Sequence, residues 1–226
     1  MSEKQQKTLI ADSGPIEVEK YEFEQRPKPI RGYPELWWRG KRPFRSTQYY
    51  PAQLKEVYGP EVNGWRNRIY WGDNLQVMSH LLKEFRGKIQ LIYIDPPFDS
   101  KADYKKKIKL KGKEAYSSHT AFEEKQYTDI WTNDDYLQYI YERLILLREL
   151  LTDNGSIYVH LDWNINHFAK VILDEIFGQD NFRNEIIWKR TTAHSDAKQG
   201  AKSYGRQHDT ILFYTKSPNE LVWNQT

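Results

Sequence analysis

The stretch Ile89-Gln90-Leu91-Ile92-Tyr93-Ile94, running straight into Asp95-Pro96-Pro97-Phe98, decides how the chain is read. It is a nearly unbroken apolar run of strand length, as expected for a strand buried on both faces of a sheet. Upstream, Leu75, Met78, Leu81, Leu82 and Phe85 recur at helical spacing, and Gly87 stands where a helix would stop. Before them lie a short strand, Arg68–Trp71, and a turn at Gly72-Asp73-Asn74. Downstream, residues 99–132 read as a loop longer than compact domains use unless it carries function. A strong helix follows, with Thr132 or Asn133 as cap, Asp134 and Asp135 in its first turn, and Leu137, Ile140, Leu144, Leu147 and Leu151 on one face. Asp153-Asn154-Gly155 should end it, and Ser156–Leu161 is the next strand. A helix from about Asn164 to Phe177 should bury Ile165, Phe168, Ile172 and Ile176 before Gly178. Strands at 184–190 and 210–216 flank a polar segment. Alternating strands and helices predict an α/β fold with a parallel or mostly parallel sheet.

At 226 residues, 38% hydrophobic and 29% charged, the chain suits one globular domain with an extension. A mean hydropathy of -0.86 and the absence of a long apolar run predict no transmembrane helix. The polar opening Met1–Lys20 has no signal-peptide core. There is no cysteine, which removes disulfides, thiolate nucleophiles and cysteine zinc sites and fits a cytoplasmic location. The division expected is a leader and basic, aromatic arm over 1–65, and a catalytic region over 66–226. Within the arm, Pro34, Pro43, Pro51 and Pro60 break any long helix, leaving room for a short one over Ala52–Val57.

Net charge is only +3, yet its distribution is uneven. Between Arg26 and Arg68 ten basic residues meet only Glu35, Glu56 and Glu61, and Trp37, Trp38, Tyr49 and Tyr50 lie among them. A second basic run holds Lys101, Lys105, Lys106, Lys107, Lys109, Lys111 and Lys113. Such stretches suit a phosphate backbone and unstacked bases, and equally a solvated face with aromatics packed inward. Charge alone leaves both readings open.

The chemistry rests on the tetrad after the strand, because ligands of open α/β sheets bind at the carboxyl ends of strands. An adenine amino nitrogen is a poor nucleophile, since its lone pair is delocalised into the ring. A carboxylate taking one N–H and a backbone carbonyl taking the other would turn that lone pair toward an electrophilic methyl group. Asp95 supplies the carboxylate and Pro96 the carbonyl. Pro96 and Pro97 fix the turn and offer no competing N–H. Phe98 offers a flat face for a base taken out of the duplex. Singly, each has a plainer role: a cap or metal ligand, a turn, a core aromatic. Their order on a buried strand favours the chemical one.

With these motifs in place, Arg68–Thr215 resembles the amino-methyltransferases of DNA in the circularly permuted order called the β class. The resemblance implies a partial Rossmann-like, S-adenosylmethionine-dependent fold and methylation of adenine N6, since D-P-P-[YF] acts on adenine and S-P-P-Y is commoner for cytosine N4. Tyr70–Leu75 is similar to the family's G-D-x-L element, which makes Asp73 a cofactor candidate; a helix-capping role for Asp73 stays equally open. Asp129 and Trp131, Gly155–Asp162 and His208–Lys216 match later blocks in order. Double-stranded DNA is the implied partner, with Lys101, Lys105, Lys106 and Lys107 beside the entering strand, and a restriction subunit is a second one.

One departure stands out. The family's cofactor loop is an F-x-G-x-G turn, whereas no two of the 12 glycines here are separated by a single residue. The expectation is therefore the N-terminal, catalytic half of a longer enzyme, with weak cofactor binding by itself and one uncovered edge on the Ile89–Ile94 strand. A non-catalytic DNA-binding subunit and an RNA or cytosine-N4 methyltransferase are the alternatives. No H-x-x-x-H cluster suggests a metal, and His194 and His208 are isolated.

Overall fold

The computed structural model describes residues 19–23, 32–97, 133–190 and 207–223, together with the backbone of 103–107 and 123–128. The elements run β1 (Lys20–Glu22), β2 (Ser46–Gln48), α1 (Asn74–Phe85), β3 (Ile89–Ile94), β4 (Asp103–Lys107), β5 (Glu123–Thr128), α2 (Asn133–Leu150), β6 (Leu151–Leu161), α3 (Asn166–Phe177), β7 (Phe182–Lys189) and β8 (His208–Thr215). The central sheet has the order β3-β6-β8-β7. The α/β architecture is as expected, but only β3–β6 is parallel; β6–β8 and β7–β8 are antiparallel. β7 and β8 pair directly with one another in opposite directions, which breaks the parallel pattern.

Helices α1, α2 and α3 supply the core with one face of the sheet. Tyr136, Ile140, Leu144 and Leu147 of α2, Ile157, Val159 and Leu161 of β6, Ile172 and Ile176 of α3, and Leu212 and Tyr214 of β8 are all buried there. The period-2 alternation of β6 and the helical spacing of α2 thus converge on one apolar layer. The other face is open. Leu91 and Tyr93 of β3 are 62% and 56% exposed while Ile92 is buried, so β3 is covered on one side, not on both as its composition suggested. Ile186 and Trp188 continue this open face across β7. Where Leu221 and Trp223 fold back, they enclose a hollow of about 210 Å³ with Tyr158, Ile186 and Phe213.

Four expectations need correction. Arg68–Trp71 is not a strand: Ile69 and Trp71 are 99% and 90% exposed, and no neighbouring strand pairs with them among the described residues. Ala52–Val57 is extended and exposed, not helical, since nothing covers its apolar side chains. Asp153-Asn154-Gly155 does not separate helix from strand, because β6 starts directly at Leu151. Its pairing with β3 jumps from Ile89↔Leu151 to Leu91↔Ser156, so these residues form a bulge inside the strand. Phe168 lies on the exposed side of α3, and Ala169, Ile172 and Leu173 take the core positions.

The arm is fastened to the helical layer. Trp38 is buried and donates its indole N–H to Gln138 Oε1 at 3.2 Å. The same oxygen accepts from the Arg42 backbone N–H, and Gln138 Nε2 donates to the Arg42 carbonyl, so this side-chain amide mimics a strand. Lys41 pairs with Glu175 at 2.8 Å beneath the Trp38 ring, and Arg42 pairs with Glu142. Part of the basic, aromatic stretch is therefore internal scaffold. In contrast, Trp37, next to Trp38, stays in solvent.

Candidate active site

Geometry brings the two sequence-selected carboxylates to one rim. Helix α1 spans 12 residues, about 18 Å of rise, and β3 returns over 6 residues, about 20 Å. Asp73 before α1 and Asp95 after β3 therefore stand at the same end of the layer. That end also holds the close of β6 and, because β8 is antiparallel, its opening residues.

Asp73 is the N-cap of α1. Its Oδ1 accepts from the backbone N–H groups of Leu75 and Gln76 at 3.0 and 3.2 Å. Its Oδ2 faces the Arg143 guanidinium at 3.3 Å, where the arginine side chain is 10% exposed and the aspartate 51%. Arg143 also donates to Asn74 Oδ1 and to the Tyr139 carbonyl, and it lies 3.6 Å from the Tyr139 ring centre. The capping role is thus realised. A carboxylate has about four acceptor positions, and three are used here. The fourth leaves Asp73 able to accept from one more hydroxyl or amino donor, the kind of group an adenosine carries.

Asp95 is exposed at the end of β3, and Pro96 and Pro97 are half-buried. Phe98 and Lys101 lie outside the described residues, as do Asp129, Trp131 and His194. Lys105, Lys106 and Lys107 sit on β4, which pairs antiparallel with β5 inside the segment read as a loop. Among the described residues no group of three or more His, Asp or Glu side chains is placed to hold a metal ion.

Beside Asp95 the structure assembles residues that sequence reasoning missed. The Tyr93 hydroxyl lies 2.8 Å from His160 Nδ1, and His160 Nε2 lies 3.2 Å from Asp209 Oδ2. The Asp209 side chain is 5% exposed, and its other oxygen meets Arg190 at 3.2 Å. Burial, and then the charges of Asp95 and Asp209, hold the Tyr93 phenol above its ordinary pKa, so it keeps its proton. Asp162, just after β6, accepts from the N–H groups of Asn164 and Ile165 and so ties the turn that leads into α3. Burial raises its pKa and those two hydrogen bonds partly offset the rise. A signal for Tyr93 and His160 did exist. Tyr93 stands two residues before Asp95, and His160 is the one titratable side chain among the inner residues of Ser156–Leu161 apart from Tyr158.

Residues 89–226 match a family described as DNA methylase. The type II methyltransferase M.EcaI of Enterobacter cloacae is 33% identical over 159 residues, covering 70% of this chain and 31% of that protein. The EcoP15I Mod subunit, of a type III restriction-modification enzyme of Escherichia coli, is 29% identical over 161 residues, covering 67% and 24%. A solved structure, that of the M1.HpyAVI-SAM complex, overlays with a TM-score of 0.41 at 13% identity, covering 70% of this chain and 58% of that one. The chain spans less than a third of the length of the curated relatives it matches. With its matched region opening on β3 and the Asp95 turn, and reaching over more than half of its residues, the chain belongs to the DNA methylase family.

Proposed function

We propose that this chain carries the target-base side of a DNA methyltransferase acting on the N6 amino group of adenine. The observation that carries the reading is Asp95, exposed at the carboxyl end of β3 on a two-proline turn, on the same rim as Asp73. A base taken out of the duplex presents two amino hydrogens. The Asp95 carboxylate accepts one and the Pro96 carbonyl the other, which fixes the nitrogen lone pair out of the ring plane. Pro97 holds the turn rigid, and Phe98 stacks on the base. S-adenosylmethionine supplies the electrophilic methyl group when bound. Asp73 holds its adenosine end, with Arg143 and Asn74 fixing the Asp73 carboxylate.

The lysines Lys101, Lys105, Lys106 and Lys107 follow the turn and contact phosphates of double-stranded DNA rather than base edges. The relatives are more than three times as long as the matched part, and this chain has no G-x-G turn. We assign the methionine end of the cofactor to a segment equivalent to that unmatched length, and a restriction subunit is a partner by the same likeness to Mod subunits. Leader and arm over 1–65 and catalytic region over 66–226 remain the proposed division.

The test is transfer of a tritiated methyl group to duplex DNA, by the chain alone and joined to such a segment, with nucleoside analysis of the product. N6-methyladenine is the expected product. Asp95→Ala should cost about 10²–10³-fold in rate with DNA binding retained. N4-methylcytosine, or an Asp95→Ala variant of full activity, would overturn the reading.

A further inference from the structure

The hydrogen-bonded row Tyr93, His160, Asp209 stands next to the residue that must meet the reacting nitrogen, and the function proposed above gives it no role. The row has a defined polarity. Asp209 is buried and paired with Arg190, so it only accepts, and His160 Nε2 must carry the proton that faces it. Neutral His160 then has Nδ1 unprotonated, and Nδ1 accepts from the Tyr93 hydroxyl at 2.8 Å. A buried carboxylate that fixes a histidine tautomer so that the far nitrogen takes a proton from a hydroxyl is the arrangement used for general-base work. Asp95 follows β3 two residues beyond Tyr93, about 7 Å along the strand direction, and its charge acts on the Tyr93 phenol. One water would span that gap. The charged groups around the row are Asp95 after β3, Asp162 after β6, Arg190 after β7 and Asp209 on β8.

We propose that Tyr93, His160 and Asp209 form a proton relay that drains the methyl-transfer site through Asp95, an inference that rests on the function proposed above. Once the amino nitrogen has gained a methyl carbon it is cationic and carries one proton in excess. That N–H bond breaks and the proton passes to the Asp95 carboxylate. Asp95 returns it through the bridging water to the Tyr93 oxygen while the phenol O–H breaks toward His160 Nδ1. The imidazolium is held by Asp209. When the methylated base leaves, His160 Nδ1 returns its proton to the exposed Tyr93 oxygen, and the phenol's other proton leaves to solvent, which restores every group. A stacked base covers Asp95 from water, so the row holds the proton until then.

Two measurements test this. The first needs neither DNA nor cofactor: long-range ¹H–¹⁵N NMR of the full chain labelled at histidine. Neutral His160 should carry its proton on Nε2, and Tyr93→Phe or Asp209→Asn should redistribute the tautomers. An Nδ1–H tautomer, or indifference to both substitutions, overturns the relay whatever the activity. The second is single-turnover methyl transfer in whichever form of the protein is active. Tyr93→Phe and His160→Gln should slow the step by about 10–100-fold. Tyr93 is mostly in solvent, so its substitution leaves the fold intact, which thermal melting checks. Unchanged rates in both variants overturn the relay alone. A wild-type protein that transfers no methyl group overturns the functional reading, and the relay with it.

Discussion

Replacing Asp73 separates its two duties. Asp73→Ala removes the acceptor for the Leu75 and Gln76 N–H groups, a loss of about 1 kcal/mol within a range of about 0.5–2. It also strips Arg143 of a half-exposed ionic partner, worth about 0.5–1 kcal/mol after solvent screening. Arg143 keeps Asn74 and the Tyr139 carbonyl, so it is not stranded, and the sum stays at about 1–3 kcal/mol. Asp73→Asn retains the cap oxygen and loses only the ionic part, about 1 kcal/mol or less. In a protein of this size the alanine variant should melt about 4–10 °C lower and the asparagine variant about 0–4 °C lower. Calorimetric titration with S-adenosylmethionine, in a form of the protein that binds it, adds the functional axis: Asp73→Asn should weaken binding well beyond its effect on stability. Equal destabilisation by both variants would refute the capping argument. Full cofactor affinity in Asp73→Asn would refute the cofactor role.

Other outcomes follow from individual side chains. Trp38→Ala should cost about 3–5 kcal/mol in urea unfolding, whereas Trp37→Ala, one residue away in solvent, should change stability by about 0.5 kcal/mol or less. Asp162→Asn keeps the oxygen that accepts from Asn164 and Ile165 and removes a carboxylate whose pKa burial has raised. A raised acid stabilises the fold below its unfolded pKa and loses that contribution as pH rises through the folded value. The variant should therefore match or exceed the wild-type melting temperature at pH 7.5 and lose its advantage toward pH 3; a clear loss at pH 7.5 would count against the burial argument. Neutralising Lys105, Lys106 and Lys107 should weaken binding to all DNA sequences alike, lowering the salt slope by about one unit for each phosphate left without its lysine. A changed sequence preference at constant slope would show instead that they read bases.

Local pattern spoke clearly where a residue's environment is set by its near neighbours. The cap at Asp73, the apolar face of α1, the ends of β3 and the span of α2 all follow from spacing and from residues within one turn. Pattern failed where the outcome depends on distant chain. Leu91 and Tyr93 look like core residues in an apolar run, but only the placement of other elements decides whether anything covers them. Arg68–Trp71 has strand composition without a partner to complete its ladder. The same limit hid the row beside Asp95. His160, Asp209 and Tyr93 come from three strands, and the register Leu161↔Thr210 together with Ile94↔Val159 is what brings them into reach.

Two of the side chains through which α2 grips its surroundings are five residues apart. Gln138 clasps the arm and Arg143 clasps the Asp73 turn, and one stiff helix joins them. Five residues are about 7.5 Å of rise and about 140° of rotation, so the two grips point to different sides of one shaft. Arm and Asp73 turn are thus held by one helix, and mutations in the two regions should fail to add.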